Sequence, residues 1–585
     1  MIDYNLTEKF SGMKDMTDLR AMLKRSADIY GDKIAFCTKV KDKITKEISY
    51  INTSYIEMME QMACLGTALI KKGYKGKRIA VIGENSYNWV LSYFAAICGV
   101  GVIVPLDKGL QKDEILSCIE RSNTEAIFYD KKQKTVVEEI FNSGETNLSM
   151  MAALDFEPET GENLQNLLKI GKEEIEKGNK QYIDAEIDPD AMAFLLFTSG
   201  TTSQSKAVML SHRNFTSCIY GMNCFELFFE DDVNMMILPL HHCYGMSGLL
   251  VFLSQGMKNV FCDGLKYVSA NMKEYGVSVI MSVPLLLESM YKKITKAIES
   301  QGMTKKIAFG LKVCDISDKL GIHLRRKIFK PIIDQLGGRM RFIINGAAAL
   351  DPVVSKGLND FGILTVQGYG LTETAPTISS ENYQYLRPGS VGKVMPNVEA
   401  KIVDPNEEGI GELIARGDNI MAGYYDNKEA TAEVIKDGWF YTGDLAYFDK
   451  DGYLFICGRQ KNVIVMKNGK NIYPEEIENL INTLPYVSES MVFHQEKANE
   501  LVICAKVVYD TEYLKEKGLT YDQLKDKLHQ DMTEINNTMP AYKMVKRYFL
   551  SDIPTIKTTT QKTKRKDEME QILRELQKEE NNAKF

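Results

Sequence analysis

The sequence predicts an α/β protein. A large N-terminal domain of parallel-sheet α/β subdomains is followed by a small α+β C-terminal domain. Three observations predict it. Apolar runs that read as strands alternate with helical segments through the first half of the chain. Two of these runs pair across a helix in βαβ spacing, which implies a parallel sheet covered by helices. Past Arg459 the pattern changes to a hairpin, a short helix and further strands.

Taken in order, Lys77 to Ile82 (KRIAVI) reads as a buried strand. Gly83 turns the chain, Ser86 caps, and Tyr87 to Cys98 reads as a helix returning to the strand Val102 to Leu106. Ala191 to Phe197 is seven apolar residues in a row, the signature of a strand buried on both faces. Arg341 to Asn345 (RFIIN) is a strand and Gly346 to Ala349 its loop. Asp351 before Pro352 opens a helix to about Phe361, and Ile363 to Gln367 is the return strand. In the last domain, Asn462 to Tyr473 reads as a hairpin turning at Asn468-Gly469. Pro474, Glu475 and Glu476 open a helix, and Ser490 to His494 and Leu501 to Val508 are strands. We place the boundary at 458/459, giving domains 1–458 and 459–585. The second is about 125 residues, a usual domain size. From Lys564 onward charges mix at helical spacing, which reads as a solvated helix or a fraying tail.

Composition sets the outer limits. The chain has 585 residues, 44% hydrophobic and 26% charged, so disorder and coiled coil are excluded as its main character. The net charge is −7, with no basic domain or stripe to read as a nucleic-acid surface. Eleven scattered cysteines with no C-x-x-C, and no charged-then-apolar leader, read as a reduced, cytoplasmic chain without a cysteine zinc site. Asn85 to Leu106 and Val233 to Met257 lack Asp, Glu, Lys and Arg and are long enough to span a bilayer. Their asparagines, prolines and glycines favour buried core, and no transmembrane segment is expected.

Three segments carry chemistry. Thr198-Ser199-Gly200-Thr201-Thr202-Ser203 offers hydroxyls and backbone N–H groups at the end of a buried strand, with Lys206 as a point charge beyond. Such a loop suits phosphate oxygens; a polar surface turn is the plain alternative. It is not the P-loop motif G-x-x-x-x-G-K-[ST], because Ser205 precedes the lysine and Ala207 follows it. Gln367-Gly368-Tyr369-Gly370-Leu371-Thr372-Glu373 also follows a strand. It combines close backbone approach, a stacking face at Tyr369 and an oxygen ligand suited to Mg²⁺ at Glu373. This loop and the Gly346 loop leave the carboxyl ends of adjacent predicted strands, where ligands sit in open α/β sheets. Finally, Asp444 in Tyr441-Thr442-Gly443-Asp444 and Arg459 in Gly458-Arg459 offer an acceptor and a donor for ribose hydroxyls.

The ordered set TSGTT…K, GYGLTE, YTGD, GR-x-K and NGKNIYPEEIE resembles the adenylate-forming superfamily of acyl-CoA synthetases, luciferases and peptide-synthetase adenylation domains. It is most like a bacterial-type, AMP-forming fatty acyl-CoA synthetase, over essentially the whole chain, which implies a β-rich subdomain in the large N-terminal domain and a small, mobile C-terminal domain after a hinge near Lys461. The resemblance implies that Thr198, Ser199, Gly200, Thr201, Thr202 and Lys206 hold ATP phosphates. Gly346, Ala347 and Ala348 would lie against adenine and Tyr369 would stack on it. Thr372 would contact the α-phosphate, Glu373 would hold Mg²⁺, and Asp444 and Arg459 the ribose. Lys461 falls at the hinge, Gly469 in the hairpin that lines the thiol's tunnel, and His242 of Leu238-Pro239-Leu240-His241-His242 at the gate of the acid pocket. Lys562 aligns best with the family's catalytic lysine. Lys557 and Lys564 compete, because Gln561 stands where glycine is usual and the spacing from Pro554 is two residues longer. The loop's usual glycines and proline are replaced by Ser203, Ser205 and Ala207. This changes its stiffness.

The implied reaction is acid activation with ATP, Mg²⁺ and CoA. The resemblance disfavours amino acids, since His241 to Gly245 holds no Asp for an amino group, and a medium- or long-chain fatty acid is the expected substrate. Met246 to Leu253 is either part of an acyl pocket or core. Two rival readings are an aryl-acid or acyl-carrier-protein ligase on the same fold, and a catalytically weak nucleotide- or acyl-binding homologue. The basic run Lys562 to Lys566 offers peripheral contact to anionic lipid, against a catalytic-loop role or plain solvation.

Overall fold

The structure is a computed structural model that describes residues 13, 16–42, 45–198, 205–384, 386–466, 470–497, 500–557 and 563–582. Two large, mostly parallel sheets form the bulk of the chain. The first has eight strands, with Arg78–Ile82 at its centre between Val102–Leu106 and Ala126–Tyr129. Arg78–Ile82 and Val102–Leu106 pair in parallel, as their βαβ spacing predicts. The intervening helix runs Tyr87–Ala95, capped by Ser86, and closes on a π turn at Ala96–Val100. Beyond Val102–Leu106 lies Met192–Thr198, then antiparallel Lys206–Ser211. The segment after the hydroxyl-rich loop is therefore a strand.

The second sheet has nine strands. Its parallel core includes Val233–Met236, Val279–Ser282, Phe342–Asn345 and Leu364–Gly370. Phe342–Asn345 and Leu364–Gly370 are adjacent and in parallel register, so their two loops leave the same edge side by side. The two sheets share one large hydrophobic cluster, filled by the helices Tyr55–Lys71, Tyr87–Ala95, His212–Phe225 and Cys243–Ser254. The helices of both charge-free stretches lie in it, and among the described residues no helix is long and apolar enough to cross a membrane. Met246 to Leu253 packs as core: Met246, Leu249, Leu250, Val251, Phe252 and Leu253 are all buried in that cluster.

A five-stranded antiparallel sheet follows, built on Val398–Val403, Gly411–Gly417, Trp439–Phe448 and Leu454–Arg459. The last region holds the paired antiparallel strands Ile464–Val465 and Asn471–Ile472; residues 467–469, and with them the expected turn at Asn468-Gly469, lie outside the described residues. The helix Pro474–Asn482 and a three-stranded sheet come next. The C-terminal helix Arg565–Asn582 is not simply solvated. Ile572 and Met569 pack with Met491, Phe493 and Cys504 of that sheet, and Glu568 is buried against Lys506.

One core contact makes stability depend on pH. His212 begins the helix His212–Phe225 and is buried. Its Nδ1 accepts from the Leu19 N–H at 3.2 Å, and Nε2 lies 3.1 Å from the Ile97 carbonyl, so the neutral ring with its proton on Nε2 fits. Burial holds its pKa down at about 4, against the opposing pull of Asp18. The unfolded chain, with histidine near about 6.5, binds the proton first. Stability at this site therefore falls as pH drops from roughly 6.5 to 4, by up to about 1.4 kcal/mol per pH unit. Urea midpoints measured across that range should fall more steeply for wild type than for His212→Gln; parallel curves would contradict this.

Candidate functional site

Residues from distant parts of the chain meet at the carboxyl ends of the strands. Met192–Thr198 and Lys206–Ser211 form a hairpin in which Thr198 faces Lys206 in register, and the Thr198 hydroxyl donates to the Lys206 carbonyl at 3.2 Å. Ser199, Gly200, Thr201 and Thr202 lie outside the described residues. The base of their loop is held by Arg121, which donates to the Ser205 carbonyl at 2.7 Å and to its hydroxyl at 3.3 Å. The same guanidinium sits 5.3 Å from the centre of the Phe197 ring. One side chain thus grips both stems of a loop in which Ser203, Ser205 and Ala207 stand where the resembling family has glycine and proline.

The Lys206 ammonium lies 4.5 Å from the centre of the Tyr424 ring. The Tyr424 hydroxyl donates to Glu373 Oε1 at 2.9 Å, and burial together with Glu373 pushes that phenol's pKa well up. Tyr424 is positioned by the short strand Gly423–Tyr424, which pairs with Lys206–Ser211. Thr372 and Glu373 occupy a single 3₁₀ turn after the strand Leu364–Gly370.

Tyr369, on the same strand, donates through its hydroxyl to Asp444 Oδ2 at 2.6 Å. Asp444 is only 4% exposed, and Arg459 Nε reaches its Oδ1 at 2.9 Å. Asp444 and Arg459 face each other in the register of two antiparallel strands, so backbone pairing sets this contact. Burial and the Asp444 carboxylate hold the Tyr369 hydroxyl protonated. Tyr369 was expected as a stacking face; its hydroxyl also ties the glycine-rich turn to the YTGD strand.

Gly346, Ala347 and Ala348 follow Phe342–Asn345 directly, and Leu350 N–H donates to Gln367 Oε1 at 3.0 Å, joining the two adjacent loops. A Cβ on Gly346 would lie 2.7 Å from the Tyr244 ring, which packs beneath the turn. Tyr244 also donates to the Ile344 carbonyl at 3.1 Å. His242 is the N-cap of Cys243–Ser254. The segment before it is pinned by Asn85, which donates to the Leu238 carbonyl and accepts from the Leu240 N–H.

Lys461 sits in the turn Gln460–Asn462 immediately after Arg459. Burial, then Arg459 and Lys206, lower its pKa against the pull of Asp444. The expected hinge lysine therefore shares the electrostatic surroundings of the phosphate-loop lysine. Gly458 beside it has φ +152°, and a Cβ there would lie 2.6 Å from Glu475 Oε2. Gly469 and Lys562 lie outside the described residues. Both ends of the segment carrying Lys562 are held. Lys557 and Thr563 form a β-bridge, and the Lys564 N–H donates to the Ile556 carbonyl at 2.7 Å. The Lys557 ammonium is engaged by Glu489 at 2.7 Å. Tyr424, Arg121, Tyr244 and Asn85 had no sequence signal of their own, because each acts through a long-range pairing.

Together the described residues present Lys206 and Lys461 for anionic oxygens, and Asp444 and Arg459 for hydroxyls. Glu373 is a carboxylate oriented by Tyr424, an oxygen donor of the class that Mg²⁺ takes. Residues 23–425 match the AMP-binding enzyme family and residues 461–579 the AMP-binding enzyme C-terminal domain. The chain is 28% identical over 558 residues to long chain acyl-CoA synthetase 7, peroxisomal, of Arabidopsis thaliana, covering 89% of this chain and 78% of that protein. It is 30% identical over 490 residues to long-chain-fatty-acid--CoA ligase 1 of Homo sapiens, covering 79% and 70%. Among solved structures, the anthranilate CoA ligase AuaEII in complex with anthranoyl-AMP superposes with a TM-score of 0.72 at 18% identity, over 94% of this chain and 96% of that one.

Proposed function

The chain belongs to the AMP-binding enzyme family, and on that premise we propose that it is an AMP-forming acid–thiol ligase. It activates a carboxylic acid with MgATP and passes the acyl group to CoA. A medium- or long-chain fatty acid is the proposed substrate, in line with the names of the two sequence relatives. The observation that carries the reading is the convergence of Lys206, Tyr424–Glu373 and Tyr369–Asp444–Arg459 on one edge of the fold.

A carboxylate is a poor acyl donor because its oxygen leaves badly. Its oxygen attacks the α-phosphorus of ATP, and pyrophosphate leaves. The CoA sulfur then attacks the acyl carbonyl of the resulting acyl-adenylate, and AMP leaves. Both first-step reactants are anions, so Lys206 and the proposed catalytic Lys562 offset the charge that builds between them. Asp444 and Arg459 hold the ribose, and Gly346, Ala347, Ala348 and Tyr369 hold the base, which fixes the α-phosphorus in line with the acid. Glu373 would hold Mg²⁺, which when bound neutralises phosphate charge. His242 gates the acid, and Gly469 lines the thiol's path. Residues 1–458 and 459–585 act as two bodies about Lys461, closing one way for each half-reaction. Pyrophosphate release with ATP, Mg²⁺ and a panel of acids tests the reading. Response to fatty acids and then transfer to CoA supports it. Response only to aryl acids, transfer only to an acyl-carrier protein, or no response to any acid favours the rival readings.

Two variants probe the machinery. Arg121→Ala frees the stems of the phosphate loop, removing hydrogen bonds from a charged donor worth roughly 1.5–3 kcal/mol. The KM for ATP should rise about tenfold or more with kcat little changed; a fall in kcat alone would contradict a loop-shaping role. Lys461→Pro stiffens the pivot and should slow thioester formation from supplied acyl-adenylate more than it slows adenylation. Selective loss of adenylation would refute the pivot.

A further inference from the structure

Among the described residues, one group of metal-ligating side chains stands together: Asp107, His241 and His242. The ligand atoms they offer all lie within 4.8 Å of one another. His241 and His242 come from the turn after Pro239, and Asp107 directly follows the strand Val102–Leu106. From this juxtaposition we propose a binding site for a divalent transition-metal ion of the zinc class, distinct from the Mg²⁺ position assigned to Glu373.

Four features support it. His241 Nε2 is buried, makes no hydrogen bond, and lies 3.4 Å from Asp107 Oδ2. Ligands about 2.0–2.1 Å from a tetrahedral zinc stand about 3.4 Å apart, so this pair already has the spacing of two coordinating atoms. The Gly109 N–H donates to Asp107 Oδ1 at 2.8 Å, which orients the carboxylate and turns Oδ2 toward the histidines. The side chains of His241 and Asp107 are 10% and 14% exposed, so the ligands are sheltered from water but not sealed. The two imidazole rings lie 4.1 Å apart, on backbone that Asn85 pins from the other sheet.

The donor set points to the class of ion. Two imidazoles and one carboxylate make a three-ligand zinc-type site with one position left for water or an anionic oxygen. Imidazole donors favour Zn²⁺, Co²⁺ and Ni²⁺, whereas Mg²⁺ takes oxygen ligands.

Titration of the full chain with Co²⁺ tests the site through the visible bands of four-coordinate cobalt. One equivalent should bind, Zn²⁺ should displace it, and excess Mg²⁺ should not. Asp107→Asn and His241→Gln should each weaken binding by at least about tenfold. Thermal melts provide a second measurement on the unmodified protein: Zn²⁺ should raise the Tm and equimolar Mg²⁺ should leave it unchanged. Absence of both the bands and the Tm shift would overturn the proposal. So would binding of equal strength in Asp107→Asn, or near-ultraviolet thiolate bands placing the ion on cysteines. None of these results bears on Glu373; because His242 is also the proposed acid gate, the ligase reading is tested separately, by pyrophosphate release without added transition metal.

Discussion

Lys562→Ala is expected to slow acyl-adenylate formation by about 10²–10³-fold while leaving thioester formation from supplied acyl-adenylate nearly intact. The magnitude is that of removing one charge-stabilising donor from a pre-organised site. The selectivity follows from the charges. The first half-reaction brings carboxylate and triphosphate together, whereas the second expels AMP from an already neutral acyl group. Of the two competing lysines, Lys557 already has a carboxylate partner. The Lys557 ammonium is taken up by Glu489 and Lys557 is itself part of the β-bridge to Thr563, while the Lys564 N–H closes the base of the same loop. Lys557→Ala and Lys564→Ala should therefore affect adenylation much less. Equal loss of both half-reactions in Lys562→Ala, or a larger loss in either neighbour, would refute the assignment.

Lys506→Met is expected to destabilise the C-terminal region by roughly 3–5 kcal/mol, the usual cost of removing one partner from a buried ion pair. Lys506 and Glu568 meet at 2.6 Å with both side chains 0% exposed. Glu568 also accepts from the Ile556 N–H at 2.8 Å, at the root of the segment that carries Lys562. The pair thus joins the strand Glu500–Tyr509, the C-terminal helix and the proposed catalytic loop. Removing Lys506 alone leaves an uncompensated buried carboxylate; the double change Lys506→Met with Glu568→Met should restore much of the stability. Tryptophan fluorescence is blind here, because Trp89 and Trp439 both precede this region. Amide hydrogen exchange on residues 500–509 reads it directly. Protection should fall in the single variant and recover in the double; unchanged protection in Lys506→Met would contradict the account.

What was legible in the sequence was what is local. A strand followed by a turn can be read from a dozen residues, and three such turns carry most of the candidate site. The alternation KRIAVI, helix, VIVPL announced a parallel pair, and the pair is there. What was not legible depends on partners far along the chain. Tyr424 lies 51 residues from Glu373, and Arg121 lies 84 from Ser205, so neither spacing carries a signal. Lys506 sits in an apolar strand where a lysine reads as outward-facing, yet it is buried because Glu568 comes to meet it 62 residues later. The same contact explains the misread C-terminal helix. Met569 and Ile572 are too few to mark an apolar stripe, but they are enough to dock a helix already anchored by an ion pair.

The most direct test is a crystal structure with a nonhydrolysable acyl-adenylate analogue. The account predicts adenine between Gly346–Ala348 and Tyr369, the ribose hydroxyls on Asp444 and Arg459, and the phosphate mimic beside Thr372. An analogue bound elsewhere, with Asp444 and Arg459 still engaging only each other and Tyr369, would contradict it.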